Sequence, residues 1–152
     1  MCWLTLRKNK TLYRHKPIIP PGSGGGMESD IARKIKEMTN ENVHLCYQCG
    51  KCSAGCPICE EMDYLPSQII RLIQLGDEAS LLNSKTPWLC AACLVCHARC
   101  PMGINLGSVM EGVRRYIMRL GIDFISPCTL PAELIEKAPQ QLFVAGLRKY
   151  SI

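Results

Sequence analysis

A chain of 152 residues with eleven cysteines fits one domain held together either by disulfides or by metal. The N-terminal MCWLTLRKNK lacks the apolar run of a secretory signal, and no segment approaches the roughly 20 apolar residues of a membrane span, so a reduced, cytoplasmic location and metal ligation are expected. Of the formal +5 charge, all sits in residues 1–26, which hold five Lys and Arg and no acid; residues 27–152 keep thirteen of each sign (eighteen minus five, against thirteen), a balance that thiolate-bound metal would turn negative and that argues against a nucleic-acid partner.

The basic stretch ends in Pro20-Pro21-Gly22-Ser23-Gly24-Gly25-Gly26, a flexible linker composition, and Met27 follows at once. Residues 1–26 therefore read either as a disordered extension or as sequence upstream of a translation start at Met27. Ser29 caps a predicted helix from Asp30 to Glu41, with Ile31, Ile35 and Met38 on one stripe. Next comes Cys46, Cys49, Cys52, Cys56 and Pro57, the run C-x2-C-x2-C-x3-C-P. Pro66 opens and Gly76 closes a second helix, with Ile69, Leu72, Ile73 and Leu75 as its buried face. Residues 77–83 read as a further short helix, and Thr86-Pro87 as a break in the chain. The cysteine run then repeats at Cys90, Cys93, Cys96, Cys100 and Pro101, offset by 44 positions throughout.

Asn105 caps the longest predicted helix, 106–120, closed by Gly121. Leu106, Val109, Met110, Val113, Ile117 and Leu120 form its apolar stripe, while Arg114, Arg115 and Arg119 fall mainly off it. Pro131 starts a last short helix to about Ala138, interrupted by Pro139. No stretch alternates with period two. The expected fold is all-α, one domain over residues 27–125 with helices around and between the two cysteine-run loops and almost no strand, followed by a tail, 126–152, suited to docking a partner.

Each cysteine run has the bacterial ferredoxin spacing for a 4Fe–4S cluster, so two clusters are expected. Three cysteines two residues apart wrap one cubane; the fourth, turned away by its proline, ligates the other cluster in two-cluster ferredoxins. Cluster one is thereby assigned to Cys46, Cys49, Cys52 and Cys100, and cluster two to Cys90, Cys93, Cys96 and Cys56. Gly50 and Gly55 suit positive φ in the tight loop, with Ala54, Ala91 and Ala92 keeping it uncrowded. Leu94 and Val95 can shield the second cluster. Lys51, His97 and Arg99 read first as solvent-facing cations that, if turned inward, would raise a cluster potential. Zinc, which pairs C-x2-C with a distant second pair, fits the spacing less well. Cys59 reads as a buried thiol or substitute ligand, and Cys2 and Cys128 have no partner motif. No catalytic triad, paired carboxylates, G-x-G-x-x-G or P-loop is present, so no catalytic residue is assigned.

The stretches HLCYQCGKCSAGCP, LPSQIIRLIQLGDEASLLNS and PWLCAACLVCHARCPMGINLGSVMEGVRRYIMRLG resemble the C subunit of heterodisulfide reductase over roughly Ser29 to Gly121. The resemblance implies a helical ferredoxin fold with two 4Fe–4S clusters on the eight cysteines of the runs. It also implies an electron relay between a flavin-containing iron–sulfur protein, the A subunit, and a catalytic, disulfide-reducing B subunit, in a complex of anaerobes. The upstream plant-type domain of succinate dehydrogenase iron–sulfur subunits and the C-C-G repeats of glycolate oxidase-type subunits do not occur here. A freely diffusing two-cluster ferredoxin and a structural zinc scaffold are the competing readings.

Overall fold

Ser29 fixes two helices with one hydroxyl. In the computed structural model, which describes residues 29–122, 124–125 and 130–150, its Oγ accepts from the Ala32 N–H at 3.3 Å and donates to the Ile73 carbonyl at 2.7 Å. The first contact caps α1 (Asp30–Thr39); the second sets α1 on the end of α3 (Pro66–Leu75). Gly76 ends α3 at φ 72°, and a Cβ there would lie 2.9 Å from Ser29 Cβ, so the close approach needs a glycine. The basic extension, Met27, Cys2 and Cys128 lie outside the described residues.

Two four-residue helices, α2 (Lys51–Ala54) and α6 (Val95–Ala98), sit within the two cysteine runs and pack against each other. Between the runs come α3, then α4 (Glu78–Asn83) capped by Asp77 Oδ1 on the Ser80 N–H at 3.1 Å, then α5 (Thr86–Leu89). After the second run α7 (Leu106–Arg119) starts from Asn105, whose Oδ1 accepts from the Ser108 N–H at 3.2 Å, and is followed by Gly121 at φ 76°. Among the described residues there is no strand, and the architecture is helical, as the missing period-two pattern predicts.

The core lies where α1, α3 and α7 meet. Ile31, Ile35, Ile69, Ile73, Val109, Met110, Val113 and Ile117 are all buried, each such side chain contributing about 1.5–3 kcal/mol relative to exposure. Helix α1 packs tightly on α7 at Gly112, where a Cβ would stand 2.5 Å from Thr39 Cγ2. That methyl cannot swing away, because Thr39 Oγ1 donates to the Ile35 carbonyl at 2.7 Å. Tyr116 on α7 adds a polar tie: its hydroxyl donates to Glu78 of α4 and accepts from Lys34 Nζ of α1 at 3.3 Å.

Several details differ from the sequence pattern. Leu75 and Leu120 end their helices 59% and 46% exposed, because each stripe runs past the edge of the core; Ile70 is buried instead. Thr86-Pro87 does not break the chain. It begins α5, where proline in the first turn removes an N–H that has no intrahelical partner anyway. Asp63 caps that turn, accepting from Lys85 N–H at 2.8 Å, Thr86 N–H at 2.9 Å, Thr86 Oγ1 at 2.6 Å and Ser84 Oγ at 3.0 Å. Beyond Pro131 there are two helices rather than one, α8 (Ala132–Lys137) and, after Pro139, α9 (Gln140–Tyr150).

The helix contacts can be probed by adding single methyl groups. Gly112→Ala should lower the thermal midpoint, since overpacking against Thr39 costs about 1–3 kcal/mol against about 1 kcal/mol of helix propensity gained. Gly146→Ala, in α9 with nothing within 4 Å of the added Cβ, should leave it equal or higher. Both are read by calorimetry at one scan rate on anaerobically purified protein. For Asp63, burial pushes the carboxyl up, but its hydrogen bonds from Thr86, Lys85 and Ser84 together hold it below the ordinary value. A depressed folded-state pKa gives stability that is present above the unfolded value, near pH 4, and lost as pH falls through the folded one. Asp63→Asn should therefore destabilise the protein by about 1–2 kcal/mol at pH 7, after allowance for solvent screening, and the difference from parent should shrink in unfolding curves taken below pH 4.

Candidate iron–sulfur site

The two cysteine runs repeat in backbone as well as in sequence. Gln48 and Gly50 of the first run have φ of 62° and 76°; Ala92 and Leu94, 44 residues on, have φ of 53° and 62°. Reversals of hand of this kind aim successive N–H groups into a concavity that favours an anionic body. Of the two glycines expected at positive φ, Gly50 is left-handed, but Gly55 lies at φ −105° and serves another purpose. A Cβ on Gly55 would stand 2.6 Å from Arg99 Cδ, so this glycine makes room for the Arg99 side chain. Gly55 and Arg99 are themselves equivalent positions of the two runs, packed across the junction of α2 and α6.

Chain topology gathers the cysteines into two groups. Cys56 shares one apolar pocket with Cys90, Cys93 and Cys96, walled by Pro57, Leu94, Val95 and Met110. In the other loop, Tyr47 lies among Cys46, Cys49 and Cys100, close enough for all three thiols to act on its hydroxyl, and Cys46 acts likewise on Cys52. Cys56, the fourth cysteine of the first run, thus sits with the second run, and Cys100, the fourth of the second, acts on Tyr47 of the first. Cys52 and Cys96, the third cysteine of each run, also interact with each other. Cys49 and Cys93, the second of each run, are exposed; the other six are half-buried, and none of the nine described cysteines is in a disulfide. Burial pushes the Cys52, Cys56 and Cys96 thiols up, so ligation there must release protons to the solvent.

Among the described residues, no three Cys, His, Asp or Glu side chains draw together as they would around one metal ion. A tetrahedral zinc site, with Zn–S of about 2.3 Å, needs its sulfurs about 3.8 Å apart. A four-iron body spreads four thiolates over four irons and needs a wider cradle. Cys56, Cys90, Cys93 and Cys96 stand on the wall of one apolar pocket, a four-thiolate donor set of the kind a four-iron body takes.

Side chains outside the runs secure both loops at matching places. Gln74 Nε2, from α3, donates to the carbonyls of Val43 at 2.9 Å and Cys46 at 3.0 Å. Arg114 Nη1, from α7, donates to the carbonyls of Pro87 at 2.7 Å and Cys90 at 3.2 Å. The helical period sets Arg114 mainly off the apolar stripe, yet it is only 2% exposed. Its polar head is paired with the Pro87 and Cys90 carbonyls inside and with the partly exposed Glu111 carboxylate at 2.9 Å from Nε, which offsets the cost of burying a cation. Neither anchor has a sequence signal, since each acts at long range. Gln48 Nε2 adds a contact to Cys46 Sγ at 3.5 Å, and Ser53 Oγ of α2 accepts from the Ser67 N–H of α3 at 3.0 Å. Lys51, His97 and Arg99 are exposed. Cys59 is half-buried beside Cys56 and is not on the pocket wall.

The 4Fe–4S dicluster domain family matches residues 42–104, which span both runs. Over 116 residues the chain is 29% identical to the C subunit of H(2):CoB-CoM heterodisulfide,ferredoxin reductase of Methanothermobacter marburgensis, covering 76% of this chain and 60% of that one. It is a homologue of the heterodisulfide reductase C subunits. A second relative, the C subunit of ferredoxin:CoB-CoM heterodisulfide reductase of Methanosarcina acetivorans, is 35% identical over 95 residues, covering 62% of this chain and 38% of that one. The C2 subunit of H(2)/formate:CoB-CoM heterodisulfide,ferredoxin reductase of Methanococcus maripaludis is 32% identical over 108 residues, covering 68% and 58%. The chain thus spans about three fifths or less of the length of these C subunits. No described helix is long and apolar enough to cross a membrane.

The placement of Cys56 generates a direct test. Cys56→Ala should damage the site walled by Cys90, Cys93 and Cys96 and spare the site formed by its own run. Site-resolved Mössbauer or EPR spectra should show one cluster signal lost and the other kept, with iron content falling by about half. Loss confined to the first-run signal would contradict the crossed arrangement.

Proposed function

We propose that this chain is an electron relay carrying two 4Fe–4S clusters, one held by Cys46, Cys49, Cys52 and Cys100 and the other by Cys90, Cys93, Cys96 and Cys56. The observation that carries this reading is the pocket in which Cys56 stands with the three leading cysteines of the opposite run. A bound 4Fe–4S cluster supplies a site for one-electron transfer. The chain's own part is to present four thiolates per site, to line the second site with apolar side chains that limit water, and to hold both loops at fixed separation through α2 and α6.

The C subunits to which the chain is similar are named for reductases of the CoB–CoM heterodisulfide. As the resemblance to that family implies, the partners are a flavin-containing iron–sulfur protein, the A subunit, as donor and a disulfide-reducing B subunit as acceptor, in a cytoplasmic complex. Residues 27–125 form the two-cluster domain, and the tail from 126 is the segment suited to docking.

Anaerobic purification from the native host should give brown protein with about eight irons per chain, together with a flavoprotein and a second cysteine-rich protein. Colourless protein containing zinc would replace the cluster reading with a structural one. A brown protein that stays alone through gentle purification would make it a diffusing carrier.

A further inference from the structure

The two loops are anchored at equivalent carbonyls by side chains of different charge. Val43 and Pro87, like Cys46 and Cys90, are separated by the 44-residue period, and each pair is held by one donor: Gln74 Nε2 in the first half, Arg114 Nη1 in the second. A glutamine amide is neutral, whereas a guanidinium keeps its charge at any pH the protein meets.

The Arg114 ion pair is also oriented. Arg114 is 2% exposed and touches the Cys90 carbonyl, while its partner Glu111 points outward with a side chain 42% exposed. Water screens the outer carboxylate far more than the inner guanidinium. The pair therefore presents its positive end to the second-run loop, and the first-run loop has no buried cation in the matching place. Lys51, His97 and Arg99 are exposed and screened at both loops.

We propose that Arg114 is a positioning residue that raises the reduction potential of the cluster held by Cys90, Cys93, Cys96 and Cys56, biasing the electron toward that half of the relay. A buried positive charge favours the reduced, more negative state of a neighbouring cluster. Gln74 gives the same mechanical hold without the charge. This inference rests on the two-cluster ligation proposed above.

The test is an anaerobic, EPR-monitored redox titration of the full chain, with the second-run signal identified as the one lost in Cys56→Ala. Arg114→Gln should shift that signal's midpoint downward. Glu111→Gln, which removes the counter-charge and keeps the arginine, should shift it upward. Arg114→Lys should stay near parent, and the first-run midpoint should hold in all three. A purely structural role would move Arg114→Gln and Glu111→Gln in the same direction or neither, and that result overturns the proposal. If Arg114→Gln fails to hold two clusters, Glu111→Gln decides alone: an unmoved or lowered midpoint overturns the proposal. A parent protein that itself lacks two clusters overturns the ligation reading, and this inference falls with it.

Discussion

A residue other than glycine held near φ 60° costs roughly 1–2 kcal/mol, and the two cysteine loops contain three of them, Gln48, Ala92 and Leu94. Loops under that strain persist only where their surroundings over-determine them. The helices supply the determination. Gln74 and Arg114 reach from α3 and α7 to the carbonyl of each run's first cysteine and to the carbonyl three residues before it. Ser53 ties the end of the first loop to the first turn of α3. The hydrophobic core made by α1, α3 and α7 is thus a platform that keeps these two donors in place.

The duplication is close in backbone and broken in side chains, and the breaks carry chemistry. Gly50 leaves the first loop without a side chain where the second has Leu94, which accepts a left-handed conformation and lies on the pocket wall. Leu94 also leans on α7, where a Cβ on Gly107 would stand 2.8 Å from Leu94 Cδ2. In the first loop Tyr47, 60% exposed, lies close enough to Cys46, Cys49 and Cys100 for their charge to act on its hydroxyl. One site is therefore lined by aliphatic groups and backed by a buried cation, the other flanked by an aromatic ring and backed by a neutral amide. Two cradles made from one pattern are not electrically equal.

Much of the helix layout was legible in the sequence because caps are local. Ser29 and Asn105 each act on an N–H within three residues of themselves, and Gly76 and Gly121 need only their own φ. The eight candidate ligands were legible for a similar reason, since spacing is a one-dimensional signal. What the pattern missed acts at a distance or against residue type. Arg114 looks like a solvent-facing cation until Pro87, Cys90 and Glu111 are placed around it. Gly55 looks like a turn glycine until Arg99, 44 residues away, is seen to fill its space. Left-handed Gln48, Ala92 and Leu94 contradict residue preference altogether, and the close packing of the two runs prevails over it. Thr86-Pro87 reads as a breaker only while the cap supplied by Asp63, 23 residues earlier, is unknown.

A relay needs surface points for its partners and a short interior path between them, and the cysteine positions divide along those lines. Under the proposed ligation, the second cysteine of each run, Cys49 and Cys93, is the exposed ligand of its site. The third of each run, Cys52 and Cys96, is half-buried and feels its counterpart across the α2–α6 junction. The same two-residue spacing that wraps a loop around a cluster therefore turns one thiol outward and the next one inward. With the runs packed against each other, the inward thiols face the α2–α6 junction, and the outward ones belong to different sites. Crossing the fourth cysteines adds the mechanical condition: neither site can be completed without the other run, so separation between the two sites is fixed by the ligands themselves rather than by the α3–α5 connection. The buried guanidinium at only one of the two sites then gives this fixed path a direction.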